Sequence, residues 1–195
     1  TASARAKAEN LHALNRERRD IEQSMQTDAL AQLDALNLDQ ANLPFAMTLY
    51  DQNWHQGVIG ILASRIRERV YRPTLIFADS DEGMLKASGR SIPGLHLRDA
   101  LDQVAVRHPG LLTKFGGHAM AAGLTLAKAD FEPFCEAINT VVADALDHVP
   151  PEPVAMSDGS LAPSDLTVPF AEQLEAGGPW GQHFAEPVFD NTFAV

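Results

Sequence analysis

Two hydroxyl groups, a glycine and a guanidinium group occur within four residues, Ser88, Gly89, Arg90 and Ser91. An arginine can donate a pair of parallel hydrogen bonds to two phosphate oxygens, and a serine hydroxyl can donate another. A glycine keeps its backbone N–H accessible to a ligand. The segment therefore predicts a binding site for a phosphate or a similar oxyanion. An ordinary polar turn, with Arg90 in a surface ion pair, would use the same residue types.

A run of small residues from Phe115 to Gly123 is the second candidate site. Gly116 and Gly117 lead into His118, and alanines follow, so the run has almost no side-chain bulk. Packing alone would favour Leu, Ile or Val, whereas small residues allow a ligand or another backbone to come close. His118 could donate a hydrogen bond to a phosphate oxygen or bind a metal ion. A lone structural histidine is the alternative interpretation.

A third segment, Trp54 to Gly60, is predicted to lie where a strand leads into a helix. Gly57 and Gly60 would let the start of that helix lie against a ligand, and His55 is a secondary candidate for contact with nucleic acid. The same glycines would equally allow tight packing of the helix, with Trp54 as a core residue.

Charge is segregated along the chain. The sequence has 15 basic and 26 acidic residues, a formal net charge of −11, which argues against a protein that binds nucleic acid over its whole surface. No Lys or Arg follows Lys128, so the basic residues are concentrated in the central region. They are Arg65, Arg67, Arg69, Arg72, Lys86, Arg90, Arg98, Arg107 and Lys114. This set predicts a local phosphate track, with Arg65 and Arg69 as secondary candidates, and solvated surface charges are the alternative.

Several kinds of chemistry lack the residues that they need. The sequence contains no Asp-His-His or His-x-Asp pattern, no Walker loop and no Gly-x-Ser-x-Gly turn. The one cysteine, Cys135, excludes an internal disulfide and a thiolate-only metal site. No apolar run reaches the roughly 18 residues of a membrane span, and residues 1–5 lack the apolar core of a signal peptide. We therefore expect a cytoplasmic chain that holds a phosphate, binds no metal of its own and does not activate water.

The pattern of apolar residues predicts an α/β protein. Alternation or short apolar runs predict strands, and spacings of three and four predict helices. The predicted strands are 45–50, 74–78, 84–88 and 119–126, the predicted helices are 3–33, 58–70, 97–107, 130–146 and 169–176, and residues 37–44 are predicted to form a loop. This order predicts a mixed β-sheet flanked by helices.

Breaks in the pattern divide the chain into three parts. A linker helix is predicted over residues 1–36, and its apolar stripe must pack either on its own domain or on a partner outside the chain. The main domain is predicted over residues 43–149 and ends at the proline-rich segment 150–153. Residues 153–195 are expected to be the truncated start of a β-rich domain, with a final strand at 188–195.

These motifs, in this order, resemble the RecJ family of single-strand-specific exonucleases in the DHH phosphoesterase superfamily. The matching segments are Trp54 to Arg65, Arg72-Pro73-Thr74, Ser88 to Pro93 and Phe115 to Gly123. The resemblance covers the DHH-associated domain almost end to end. The tail from Gly178 to Phe189 resembles the opening of the OB-type domain that follows it, and the first helix resembles the linker that precedes it.

The resemblance implies a 5′-to-3′ exonuclease on single-stranded DNA that serves DNA repair and recombination. In the family, Mn²⁺ or Mg²⁺ is held by Asp and His residues of a DHH domain that is absent from this sequence, so the chain alone is expected to be inactive. Ser88 and Arg90 would hold a terminal or backbone phosphate, and Gly116, Gly117 and His118 would orient the scissile phosphate. Expected partners are single-stranded DNA, a single-strand-binding protein and recombination helicases.

Two other functions stay open at this point. Oligoribonucleotide and cyclic-dinucleotide phosphodiesterases of the same superfamily share the Gly-Gly-His region but lack the OB-type continuation. The tail from Gly178 to Gly181 therefore favours the exonuclease. A non-catalytic module that only binds nucleic acid or a protein would instead use the glycine and alanine run for packing.

Overall fold

A computed structural model describes residues 2–35, 43–81, 83–181 and 184–193 of the chain. Its helices are α1 (Ala2–Ala35), α2 (Ile59–Val70), α3 (Leu97–Arg107), α4 (Phe131–Ala145) and α5 (Val168–Ala176). Its strands are β1 (Met47–Tyr50), β2 (Thr74–Asp79), β3 (Met84–Arg90), β4 (Lys114–Gly117) and β5 (Ala121–Ala127). The chain divides into two units, residues 1–152 and residues 153–195. Of the predicted loop 37–44, residues 37–42 lie outside the described residues.

The five strands form one sheet in the order β1-β2-β3-β5-β4. β1 and β2 are parallel and are joined through α2, and the remaining neighbours are antiparallel. The predicted mixed sheet with flanking helices is therefore confirmed. The sequence pattern does not predict β4, because two of its four residues are Gly116 and Gly117, which have low strand propensity. Its pairing with β5, from Lys114 opposite Thr125 to Gly117 opposite Ala122, forms it nonetheless.

Apolar residues cover the two faces of the sheet to different extents. On one face, side chains from β2, β3 and β5 form a core with α3 and α4 that includes Phe77, Leu101 and Phe134. On the other face, the core takes side chains from β1 and β2 only, and these pack against α2 and part of α1. The half of that second face formed by β3, β5 and β4 contributes nothing to this apolar cluster. We call this half the open face.

α1 confirms the helix predicted near the start of the chain, but only its second half packs on the domain. Met25 and Ala29 are buried against the α2 core, and Glu22 lies 3.8 Å from Arg65 of α2. Leu11 and Leu14, by contrast, are 60% and 52% exposed. In the first half of the helix these two leucines do not pack on the domain, and packing on a partner outside the chain stays a prediction. Among the described helices, none combines the length and apolar composition that a membrane crossing requires.

The second unit contains little regular structure apart from α5. The Thr167 hydroxyl accepts a hydrogen bond from the backbone N–H of Phe170, which caps the predicted helix at its start. The predicted strand 188–195 is wrong for residues 188–193, and its last two residues lie outside the described part of the chain. The segment instead makes two backbone hydrogen bonds to an irregular stretch, at Asp158 and Gly159. The OB-type identity of this unit stays a prediction.

Cys135 on α4 is expected to be a slow nucleophile. Burial raises the pKa of its thiol from an ordinary 9.0 to about 11. At pH 8 this rise lowers the thiolate population about 100-fold, so the native chain should react about 100-fold more slowly with Ellman's reagent than the urea-unfolded chain does. The stability that the neutral thiol confers is present below pH 9.0 and is lost as the pH rises toward about 11. Equal rates for native and unfolded chains would contradict this environment.

Candidate phosphate-binding groove

Residues of β3, β5 and β4 form three rows on the open face. Paired residues of an antiparallel sheet point to the same side, so register alone places them together. The first row is Lys86, Thr125 and Lys114, the second is Ser88, Gly123 and Gly116, and the third is Arg90 and Ala121 followed by His118, whose N–H bonds the Ala121 carbonyl. Small and basic residues thus replace the apolar side chains found elsewhere on the sheet.

A groove of about 410 Å³ lies between this face and the start of α2. Its walls include Gly57 and Gly60 from the helix start, Ser88 and Arg90 from β3, and Gly117 from the end of β4. The three candidate segments of the sequence, which are far apart along the chain, therefore meet at one groove. Their convergence gives the open face a single site in which a ligand could contact all of them.

Arg90 is, with Lys86, one of the cationic side chains that line this groove. Its Nη1 donates hydrogen bonds to the Ser88 hydroxyl at 3.2 Å and to the Gly89 carbonyl at 2.9 Å. A Cβ built on Gly60 would lie 3.0 Å from Nη2 of Arg90, so this glycine makes room for the guanidinium. In the described part of the chain, no carboxylate forms an ion pair with Arg90. Its remaining N–H groups can therefore bind an anion.

The start of α2 adds backbone donors to the same groove. The cap residue Val58 makes no side-chain hydrogen bond to the helix, and the first N–H groups of a helix have no partner within it. Ile59 and Gly60 supply such N–H groups, and both residues line the groove. The positive end of the helix dipole reinforces their attraction for an anion.

Gly116 and Gly117 are glycines for different reasons. Gly117 has a φ of +140°, and an added Cβ would lie 2.4 Å from the Ala121 carbonyl oxygen. The fold therefore requires glycine at position 117. An added Cβ at Gly116 would meet nothing within 4 Å, so the chain's own packing does not require glycine there. Open space above Gly116 is consistent with the approach of a ligand from outside.

This difference predicts unequal effects of alanine at the two positions. Gly117→Ala should lower the free energy of unfolding by about 2 kcal/mol or more, because the substitution combines a strained φ with a backbone clash. Gly116→Ala, the matched control, should change it by less than about 0.5 kcal/mol. Urea unfolding followed by circular dichroism measures both. Equal losses for the two variants would contradict the backbone geometry given above.

Two residues of the predicted four-residue binding segment face away from the groove. The Ser91 side chain is fully buried, and its hydroxyl donates to the Leu95 carbonyl at 2.7 Å. A Cβ on Gly89 would lie 2.8 Å from Cδ2 of Leu97, so this glycine allows α3 to pack on the sheet. Both positions are therefore structural, and only Ser88 and Arg90 of this segment reach the groove.

Neither of the two histidine candidates is among the residues that line the groove. His118 is exposed at the end of the third row, directly after Gly117, and its imidazole makes no hydrogen bond to another described residue. His55 is also exposed, and its Nδ1 accepts a hydrogen bond from the N–H of Gly57 at 3.0 Å. His55 thus holds the turn before α2, whereas the His118 ring is available to a ligand.

Arg65 and Arg69, the secondary candidates on α2, do not line the groove. Arg65 lies in a second cavity of about 560 Å³ between α1 and α2. It forms ion pairs with Glu22 at 3.8 Å and with Glu68 at 3.6 Å. The structure therefore gives Arg65 a role in docking α1 onto α2 and brings neither arginine to the open face.

Gln56 lines the groove, although the sequence analysis did not single it out. Its Nε2 donates to the Asp79 carbonyl at 2.8 Å, which fixes the loop that leads into α2. The Asp79 carboxylate accepts hydrogen bonds from Lys128 at 3.0 Å and from Tyr50 at 2.9 Å. These bonds, the one from Lys128 first, hold the pKa of Asp79 below its ordinary value. A charged cluster thus supports the loop at the end of β2.

The groove residues do not form a site for a divalent cation. Within the described ranges, no group of three or more His, Cys, Asp and Glu side chains could hold a metal ion. Mn²⁺ and Mg²⁺ prefer carboxylate, carbonyl and water oxygens. The side chains that reach the groove are Arg90, Lys86, Gln56, a hydroxyl and small apolar groups. They suit an anion and do not fit either metal.

Comparisons with known proteins agree with this architecture. The model of the DHHA1 domain family matches residues 42–144. The single-stranded-DNA-specific exonuclease RecJ of Dickeya dadantii is 51% identical over 98% of the chain, and that of Escherichia coli is 47% identical over 98%. The chain spans about a third of the length of these relatives, 33% in both cases.

Solved structures share the fold over nearly the whole chain. The crystal structure of RecJ from Thermus thermophilus in complex with Mn²⁺ superposes with a TM-score of 0.75 and 32% identity, and the match covers 96% of this chain and 26% of that one. A structure of the same protein with Mg²⁺ also has a TM-score of 0.75. The chain therefore belongs to the DHHA1 domain family, and its relatives over nearly its whole length are RecJ exonucleases.

Proposed function

We propose that this chain is the substrate-binding part of a 5′-to-3′ exonuclease that acts on single-stranded DNA in repair and recombination. The groove on the open face would hold backbone phosphates of the strand. The observation that carries the proposal is that Gly60, Ser88, Arg90 and Gly117 line one groove in which Arg90 forms no ion pair with a described carboxylate.

The donors of the groove suit a phosphodiester. Arg90 offers a planar set of N–H groups, and its bond to Ser88 holds the guanidinium at the groove floor. The N–H groups of Ile59 and Gly60 approach from the helix side. A phosphate between them would receive hydrogen bonds from two directions, which fixes its orientation as well as its position. Such contacts bind any sequence, as an exonuclease requires.

His118 has a different proposed role. It directly follows Gly117, which lines the groove, and it is exposed. A donor at this position would stabilise charge on the scissile phosphate when that phosphate is presented to a second domain. We therefore assign phosphate binding to Ser88 and Arg90, and orientation of the scissile phosphate to Gly116, Gly117 and His118.

Hydrolysis itself is proposed to belong to a DHH domain in a longer polypeptide. The described residues that line the groove include no carboxylate to hold Mn²⁺ or Mg²⁺, and these ions accompany the RecJ structures to which the chain is similar. The division of labour predicts that the chain binds single-stranded DNA without degrading it. A single-strand-binding protein and recombination helicases are the proposed partners of the whole protein, and the cytoplasm is its proposed location.

One comparison tests this division of labour. The 195-residue chain and a polypeptide that carries it behind a DHH domain are each incubated with 5′-phosphorylated oligo(dT) and Mn²⁺. Both should bind the strand, and only the longer polypeptide should release mononucleotides. Degradation of the oligo(dT) by the homogeneous, purified 195-residue chain alone would contradict the proposal.

A substrate panel separates the proposal from the phosphodiesterase alternative. The relatives named above match the chain over 98% of its length, which includes the tail after residue 153 and supports the exonuclease. The longer polypeptide should therefore degrade single-stranded DNA in preference to short oligoribonucleotides and cyclic dinucleotides. The reverse preference would favour the alternative, and binding without any turnover would favour a non-catalytic module.

A further inference from the structure

Two lysines of the open face have no part in the proposed function: Lys86 on β3 lines the groove, and Lys114 on β4 does not. Lys86 and Lys114 both pair with Thr125, one from each side of β5. At roughly 4.8 Å between neighbouring strands, their Cα atoms are about 10 Å apart. Lysine side chains are long and flexible enough to converge on one anion from that separation.

The surroundings of these lysines favour a polyanion. Both side chains are exposed, and neither forms an ion pair with another described residue. The three rows of the open face contain no Asp or Glu, although the whole chain has a net charge of −11. Their charge is therefore not neutralised locally, in contrast to Arg65, which pairs with two glutamates.

The row between the lysines and Arg90 has little bulk. It consists of Ser88, Gly123 and Gly116, and a Cβ on Gly116 would meet no atom of the chain within 4 Å. Lys86 is four residues from Arg90 along β3, a distance of roughly 13 Å at about 3.4 Å per residue. This is about four nucleotides of a stacked strand at ~3.4 Å each, or fewer of an extended one.

We propose that Lys86 and Lys114 bind a second backbone phosphate of the strand, which crosses the row of small residues from the groove at Arg90. This inference rests on the proposed function, and it adds the path of the strand across the sheet. The Thr125 hydroxyl lies between the lysines and can donate to the same phosphate. The surface would be specific for single strands longer than a dinucleotide.

Binding of two ligands of different length tests this path. A 5′-phosphorylated thymidine dinucleotide can lie in the groove that Arg90 and Lys86 line, but it is too short to extend to Lys114, whose Cα atom is roughly 16 Å from that of Arg90. A 5′-phosphorylated oligo(dT) of about twelve nucleotides can reach all three residues. The 195-residue chain and its variants Lys86→Ala, Lys114→Ala, Arg90→Ala and Arg107→Ala are titrated with each ligand over a range of salt concentrations. Arg107 is the control, because its substitution removes one positive charge from α3, on the opposite side of the sheet.

Each lysine variant should weaken binding of the longer strand about five-fold. The two lysines share one phosphate, so their double variant should reduce the slope of log K against log salt by about 0.7, the value for one phosphate contact on a single strand. Binding of the dinucleotide should stay unchanged in Lys114→Ala, because Lys114 does not line the groove. Arg90→Ala should weaken both ligands, and Arg107→Ala should weaken neither.

The possible failures are distinguishable. If Arg90→Ala weakens both ligands while the lysine variants bind the longer strand like the unmodified chain, the path is wrong and the groove stands. If Lys114→Ala also weakens binding of the dinucleotide, or if Arg107→Ala weakens binding of the longer strand as much as the lysine variants do, the lysines act through general charge and the second contact is wrong. If Arg90→Ala binds both ligands like the unmodified chain, the proposed function is wrong, and the path that rests on it is wrong as well.

Discussion

Replacing Arg90 by alanine is expected to weaken binding of single-stranded DNA to this chain about 10- to 100-fold. Charge-assisted hydrogen bonds to a phosphate contribute about 1.5–3 kcal/mol. The Arg90 side chain is half-buried, and the Ser88 hydroxyl and the Gly89 carbonyl hold it in place, so little entropy is lost when it binds. Fluorescence anisotropy of a labelled oligo(dT) measures the affinity.

Two further variants show whether geometry or charge causes this loss. Arg90→Lys keeps the charge but loses the planar pair of donors, so it should recover only part of the affinity. Arg107→Ala removes a positive charge that pairs with Asp144 on the α3 and α4 side of the sheet, and it should bind like the unmodified chain. Full affinity in Arg90→Ala, with an unchanged dependence on salt, would remove Arg90 from the binding site.

His118→Ala is expected to lower turnover far more than affinity. In a polypeptide that carries this chain behind a DHH domain, loss of a donor to the scissile phosphate should reduce kcat by about 100-fold or more. Affinity for DNA should change by less than about three-fold, because Arg90 and the helix start are unaffected. The His118 ring bonds no described residue, so the substitution should leave stability intact.

His108→Ala is the matched control for this prediction. His108 is also exposed, but it follows α3 on the opposite side of the sheet, so its loss should change neither kcat nor affinity. Single-turnover measurements separate the chemical step from product release. If His118→Ala lowers affinity and kcat by the same factor, His118 is a binding residue and does not act in the transition state.

The sheet and its helices could be predicted because the apolar pattern of this chain is strong where packing is strong. β2 is buried along nearly its whole length, and α4 buries one continuous side, so short apolar runs and helical spacing identify both. β4 could not be predicted, because its Gly116 and Gly117 carry no local strand signal and the strand exists through pairing with β5. The exposed first half of α1 has apolar residues without a described partner, which a periodic pattern cannot reveal.

The sequence predicted where the candidate site lies, but it predicted only some of the residues that line the site. Ser88 and Arg90 reach the groove, while Gly89 and Ser91 do not, because successive side chains of a strand alternate between faces. Four consecutive residues therefore could not all bind one ligand. The same alternation places Lys86 beside Ser88, a signal that the sequence contained. The meeting of Gly60 with Arg90 depends on how α2 crosses the sheet, which no local pattern determines.

Chemical-shift mapping tests the central claim most directly. The ¹⁵N-labelled chain is titrated with 5′-phosphorylated oligo(dT), and the amide shifts of each residue are followed. If the strand binds in the groove, the largest amide shifts should fall at Gly60, Ser88, Arg90 and Gly117. The amide shifts of residues on α3 and α4 should stay unchanged. Shifts concentrated on α3 and α4, or none at concentrations that saturate binding, would contradict a phosphate site between α2 and the sheet.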